Sequence, residues 1–178
     1  MISELIGYID PNKSERQLTF KNSDEIFYVM RCKLRGIELD ILISSYVYNG
    51  DKGCVKITGS YCTVTSKDSE DKTIHIPYIY AQDITSVPED TPLTNEVKFK
   101  FRLTKVHKYL VTCNGLELLF AYGTVVNSFG NIEVYKVCLK GALARRYKNS
   151  AKGTEFTASA FLKGYGKGVE FLINEILE

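Results

Sequence analysis

Residues 135–156 read YKVCLKGALARRYKNSAKGTEF, a strand, a Lys-Gly stop, a short helix, and a second Lys-Gly pair opening another strand. The flanking segments are β-branched or aromatic in character, ALARRYKNSA is rich in helix formers, and the two glycines punctuate the change. The first half holds a stretch of the same order. MRCKLRG (30–36) ends at Gly36, IELDILISSYVYN (37–49) has helical spacing at Ile37, Asp40, Ile41 and Ser44, and GDKGCVKITGSY (50–61) opens the next strand. The spacing therefore predicts one short helix in each half, at the same place in the order of elements. Such self-similarity, with a period of about ninety residues, reads as a duplicated domain.

Outward from these stretches, strand signals dominate. Short runs of β-branched and aromatic residues fall at 2–9, 17–20, 26–34, 54–65 and 73–81, with turn residues between them. The second half repeats the pattern at 96–104, 109–112, 117–125, 132–139, 156–163 and 169–176, with Asn114-Gly115 as a hairpin turn and NSFGN (127–131) as a longer loop. SVPEDTPLTNE (86–96), carrying Pro88 and Pro92, suits neither a strand nor a helix interior. The expected division is a first domain over 1–87, a linker over 88–92 and a second domain over 93–178. The segment before 26 looks too short for full opening hairpins, so the first domain is expected to be a trimmed one. The predicted fold class is mostly β: two tandem five-stranded Greek-key barrels of the oligonucleotide/oligosaccharide-binding (OB) type, each with a helix between its third and fourth strands.

Charge divides the chain as well. Residues 1–92 hold 10 basic and 14 acidic side chains, a net of −4, and residues 93–178 hold 13 and 7, a net of +6, which together give the overall +2. The basic half suggests a polyanionic partner. Within it, NEVKFKFRL (95–103) alternates strictly, with Val97, Phe99, Phe101 and Leu103 on one face and Lys98, Lys100 and Arg102 on the other. A wet strand face explains this pattern, but three like charges on one strand repel one another, and tracking a phosphate backbone gives them a purpose.

Other classes find little support. The sequence has no Ser/His/Asp set, HExxH, P-loop or paired-carboxylate motif, so no enzyme is expected, and the glycines of GYGKGVE (164–170) read as a hairpin turn. Five cysteines without a CxxC pair, beside two histidines, predict buried thiols rather than a metal site. No cofactor is expected. Neither a signal peptide nor a membrane span is legible, which predicts a cytoplasmic protein in a reducing compartment.

RLTKVHKYLVTCNGLELLFAY (102–122), together with 135–156 and 30–61, resembles the bacterial single-stranded DNA-binding protein family: a basic segment leads through a turn into an apolar strand, and a strand–Gly–helix–Gly–strand stretch follows. The resemblance covers nearly all of 96–176 and, in the first half, about 26–84. It implies a protein that coats single-stranded DNA in replication, repair or recombination, with two barrels per chain pairing as a homodimer, and replication or recombination proteins as further partners. Two departures stand out. Arg35 and Lys140 occupy positions where the family places a base-stacking aromatic, and the sequence contains no tryptophan and no Gly/Pro/Gln-rich acidic tail after NEILE.

Single-strand binding needs cations along the backbone and flat faces under the bases. The candidate cations are Lys98, Lys100, Arg102, Lys105, Lys108, Lys136 and Lys140; the candidate rings are Tyr109, Tyr122, Phe129 and Tyr135. Phe129, at a loop tip, suits either a core plug or a base platform, and Tyr135 qualifies only if its strand register turns it outward. The functional expectation is sequence-tolerant binding of single-stranded DNA, mainly through the second domain. The alternative is an OB-fold interaction scaffold or a primosome-like accessory factor of a replication complex.

Overall fold

A computed structural model of the chain describes every residue except Asn22, Asp68, Gly166, Lys167 and Glu178, and for Tyr165 the backbone alone. The expected turn in GYGKGVE centres on Gly166 and Lys167 and so lies outside the described residues. The chain divides into two compact units, Ile2–Asn95 and the residues from Glu96 onward.

The second unit is a closed barrel of β7 (Glu96–Val111), β8 (Glu117–Val126), β9 (Ile132–Lys140), β10 (Glu155–Tyr165) and β11 (Gly168–Ile176). The order round the ring is β7-β8-β9-β11-β10 and back to β7. All pairs are antiparallel except β9–β11. The strand β7 serves two neighbours: residues 96–102 pair with β10, and residues 102–111 pair with β8 across two bulges. Bulges bend and twist a strand, which is what a strand turning a barrel corner requires. The interior is aromatic. Phe171 lies 4.9 Å from Phe99 and stacks on Tyr135 at 4.4 Å and 7°. The helix α1 (Ala142–Tyr147) follows Gly141, whose φ of 57° suits glycine, and it buries Ala144 while Tyr147 packs edge-on against Phe156.

The first unit contains β1 (Ser3–Ile9), β2 (Arg16–Thr19), β3 (Ile26–Leu34), β4 (Ile37–Ser44), β5 (Gly53–Lys67) and β6 (Thr73–Ser86). They form a six-stranded sheet in the order β1-β5-β6-β4-β3-β2. Because β1 also pairs with β3, at Tyr8↔Lys33 and Ile9↔Cys32, five of these strands are joined in a ring. Leu5, Cys32, Ile41, Val55, Ile57 and Ile79, all fully buried, belong to its inner face. On the opposite face Phe27, Val29, Leu42, Cys62 and Tyr78 form a second buried cluster, closed over by Leu18 and Phe20 together with Val64, Ile76 and Tyr80. The short β2, paired only with the start of β3, is the edge strand of the sheet and adds Leu18 to this cover. Arg16 fastens it further by donating to Asp40 on β4 at 2.8 Å.

The helix expected over 37–49 is absent: Ile37–Ser44 is the strand β4, followed by a turn in which Val47 N and Tyr48 N donate to the Ser44 carbonyl. The physical reason is burial on both faces. Ile41 and Ile43 point into the ring while Leu42 points into the second cluster, so the strand reads as one unbroken apolar run, and periodicity does not separate that from a buried helix. The internal correspondence shifts with it. Gly36, at φ 75°, lies in the turn of the β3–β4 hairpin as Gly130, at φ 79°, lies in that of β8–β9, so Gly36 is not the counterpart of Gly141. Of the five cysteines, Cys32, Cys54, Cys62 and Cys138 are buried and Cys113 is exposed in the β7–β8 turn; all are free thiols.

Gly59 sits at the irregularity in β5–β6 pairing, where an added Cβ would stand 2.3 Å from the Tyr80 carbonyl oxygen. Backbone cannot rotate aside. Gly59→Ala is expected to lower unfolding free energy by about 1–3 kcal/mol in urea titrations, the usual range for forced overpacking.

Candidate nucleic-acid interface

The outer face of β8 and β9 is set by what their inner faces must fit. On β8, Leu119, Ala121 and Val125 turn inward beside Gly123, where a Cβ would meet the Phe101 ring at 2.5 Å. Alternation then sends Phe120, Tyr122, Thr124 and Val126 outward. On β9, Tyr135, Val137 and Leu139 are buried, which leaves Ile132, Val134, Lys136, Cys138 and Lys140 on the outer side. Register pairs Phe120 with Cys138, Tyr122 with Lys136, Thr124 with Val134 and Val126 with Ile132.

This face carries rings among cations. Lys136 Nζ stands 5.9 Å from the Phe120 ring centroid and 3.4 Å from Glu170 Oε1 on β11. Across the other edge, Lys105 is in register with Tyr122 and Lys108 with Phe120, and both lysines are exposed. His107 meets the Tyr122 ring edge-on at 5.7 Å. Lys140 is exposed at the end of β9, opposite Leu118. The arrangement offers flat apolar surface with positive charge on both flanks.

The remaining candidates go elsewhere. Tyr135 is a correction: it is almost fully buried and stacked on Phe171 inside the barrel, because the inward set of β9 includes its position, so it offers no surface to a base. Tyr109 belongs to a separate cluster near α1. Its hydroxyl donates to Glu117 Oε1 at 2.5 Å, Lys148 Nζ lies 4.9 Å from its ring, and Arg145 donates to Glu117 Oε2 at 2.8 Å. The Arg145 and Tyr109 hydrogen bonds hold the Glu117 carboxyl below the usual range, and the same carboxylate pushes the Tyr109 hydroxyl up. Phe129 sits partly exposed in the β8–β9 turn.

Lys98, Lys100 and Arg102 are exposed along β7, beside β10. Beyond Glu96 at its start the strand supplies no acid, but its neighbour does. Glu155, directly opposite Arg102, takes Lys100 Nζ at 2.9 Å and Arg102 Nη2 at 2.8 Å. Sequence spacing gave no hint of this, since Glu155 is more than fifty residues away. Phe120 was also missed. The signal was present in FAYG (120–123), where small residues alternate with rings: a strand that keeps Ala and Gly inside sends its aromatics out.

No protein-family model matches the chain, and neither does any curated protein. A closed five-stranded barrel with these pairings, and a helix between its third and fourth strands, is the OB architecture. Over nearly the whole chain the fold is similar to that of solved bacterial single-stranded DNA-binding proteins. The wild-type single-stranded DNA-binding protein from Thermus aquaticus superposes with a TM-score of 0.73 over 98% of this chain and 90% of that one, at 13% identity. A deletion mutant of the same protein gives 0.71 over 98% and 91%, at 15% identity. PriB from Ralstonia solanacearum matches 46% of this chain and 94% of its own, at 16% identity and a TM-score of 0.42.

The hydrogen bonds from Lys100 and Arg102 bring the Glu155 carboxyl down to about 2 from 4.5. A carboxyl depressed in the folded state adds stability at pH above about 4.5, and that contribution is lost as pH falls toward 2. A carbon-detected NMR titration is expected to place the Glu155 midpoint near 2. The double substitution K100Q/R102Q should return it toward the ordinary value of 4.5. A midpoint unmoved by that double substitution would contradict the assignment.

Proposed function

We propose that this chain is a sequence-tolerant single-stranded DNA-binding protein made of two tandem OB-type barrels, with the second carrying most of the binding. The observation behind this reading is a contrast between two matching faces. The outer face of the second and third barrel strands is a common site for oligonucleotides in this architecture. In the second unit that face, on β8 and β9, presents Phe120 and Tyr122 among lysines. In the first unit the matching face, on β3 and β4, holds Phe27, Val29 and Leu42 and is packed over by Leu18, Phe20, Val64, Ile76 and Tyr80. The charge of the two halves, +6 from 13 basic and 7 acidic residues against −4 from 10 and 14, runs the same way.

In this reading Phe120 and Tyr122 stack bases, with Phe129 a further contact, while Lys105, Lys108, Lys136 and Lys140 follow the backbone. Lys98, Lys100 and Arg102 extend the path along β7 once a phosphate competes with Glu155. Exposed ion pairs of that kind are weak enough for such competition. The fold neighbours include proteins named for binding single-stranded DNA, which supports the choice of ligand. The reading describes a binding protein and not an enzyme, working in the cytoplasm during replication, repair or recombination, and paired as a homodimer. Light scattering at micromolar concentration should then give twice the 20.1 kDa chain mass.

Titration of fluorescent oligo-dT at two salt concentrations tests the core of the proposal. F120A/Y122A is expected to weaken binding about tenfold or more, since each stacked base contributes about 1–3 kcal/mol. Each lysine among Lys105 and Lys108 changed to Gln should flatten the salt slope by about 0.7 and weaken poly-dT and mixed sequence alike. Wild-type protein that leaves oligo-dT unbound at low salt would overturn the proposal. That result would favour the second reading, an interaction scaffold or accessory factor of a replication complex, for which the acidic first unit is the supporting observation.

A further inference from the structure

The turn of the β8–β9 hairpin carries an apolar surface that the stacking face does not account for. Val126, Ile132 and Val134 are 65%, 73% and 67% exposed, and Phe129 beside them is 37% exposed. The register places Val126 against Ile132 and Thr124 against Val134, so the three aliphatic side chains share the outer side with Tyr122. Exposed β-branched residues gathered on one side of one hairpin mark a contact surface.

The hairpin is also braced. The buried Asn127 side chain accepts from Phe129 N and Asn131 N, each at 2.9 Å, and donates to the inward-facing Glu133. Gly130, at φ 79°, donates to the Asn127 carbonyl at 3.0 Å. The loop is held by its own chain while its apolar side chains face solvent.

We infer that Val126, Ile132 and Val134 form a plate that caps the terminal base pair of a duplex, seating the protein where single-stranded DNA meets double-stranded DNA. This rests on the proposed single-strand binding and adds a position on the DNA to it. Three features argue for that occupant. β-branched side chains are stiff at χ1, so three of them on a strand pair make a firm, flat surface. Aliphatic groups lack the π-face that favours successive unpaired bases, whereas the end of a duplex presents a broad apolar face that needs only cover. Charge fits as well: Arg102, ion-paired to Glu155, lies across from Thr124, and Lys136, ion-paired to Glu170, lies across from Tyr122. Phosphates would compete with these carboxylates, while none of the outward residues of β8 and β9 is acidic. An apolar plate rimmed by cations complements a flat apolar face with phosphates at its edges. The plate begins at Val134, in register with Thr124 and so two residues beyond Tyr122, about 7 Å at strand rise, so a strand lying on the rings reaches it within a few nucleotides.

The test compares three fluorescent DNAs on the full chain: a dT tail alone, a blunt hairpin stem, and the same stem carrying the dT tail. The stem with tail is expected to bind about fivefold or more tighter than the tail alone, the lower end of what one stacked base contributes. V126S/I132S/V134S should erase that preference and leave the affinity for the tail unchanged. V126T/I132T/V134T, which keeps a β-branched side chain at each position, covers the case in which the serine variant melts early, and should reduce the preference in the same direction. Wild-type protein that binds the tail but shows no preference for the junction overturns this inference alone; failure to bind the tail overturns the proposed function. Loss of tail and junction affinity in equal measure would make the plate an ordinary base platform. Conversion of a dimer into a monomer by the serine variant would assign the surface to a second copy of the chain. Either of these results overturns the inference.

Discussion

Closing five strands into a ring is the constraint from which the rest follows. In the second unit, β10 must pair with one part of β7 and β8 with another, so each strand has an inward face fixed by the packing of Phe99, Phe101, Phe156 and Phe171. Burying each of these rings contributes about 1.5–3 kcal/mol, so a one-residue slip that turned them outward would cost far more than any surface contact returns. Everything outside the ring is what remains after that decision. Phe120 and Tyr122 are outward because Ala121 and Gly123 are the residues that fit beneath Phe101.

The same constraint has two outcomes in one chain. In the second unit the outward side of β8 and β9 is left to rings and lysines. In the first unit the outward side of β3 to β6 holds an apolar cluster packed over by Leu18, Phe20, Val64, Ile76 and Tyr80, with the Phe20 ring 5.1 Å from that of Phe27. Two guanidinium groups meet at Asp40 there, Arg16 of β2 at 2.8 Å and Arg31 of β3 at 3.4 Å. One unit leaves its outer face open and the other folds its own side chains onto it.

Much of this was legible in the sequence, and the failures have identifiable causes. The alternation of 95–103 gave both faces of the first part of β7 correctly, because one face is buried and the other wet. The second unit's later strands and its helix after Gly141 followed from glycine punctuation and composition, whereas the runs expected at 96–104 and 109–112 are one bulged strand, β7. The first unit's helix failed where a strand is covered on both sides, since period-2 alternation disappears when Leu42 is as buried as Ile41 and Ile43. Tyr135 failed because its inward or outward assignment depended on register. Glu155 stayed hidden because antiparallel pairing of β10 with β7 brings it to Lys100 and Arg102 from a distant part of the chain. Local pattern reports faces; it does not report neighbours across a sheet.

The distribution of thiols gives the molecule a practical property. Cys32, Cys54, Cys62 and Cys138 are enclosed, and burial pushes the Cys32 thiol up to about 12. Cys113 alone lies in the open, in the tight turn that joins β7 to β8, the two strands whose Lys105, Lys108, Phe120 and Tyr122 flank one another. A thiolate is the reactive form, so a maleimide dye at neutral pH will attach at that turn and leave the enclosed sulfurs untouched while the fold holds. The natural sequence therefore already contains a single-site reporter beside its ring-and-lysine face, and no cysteine needs to be removed or added to use it.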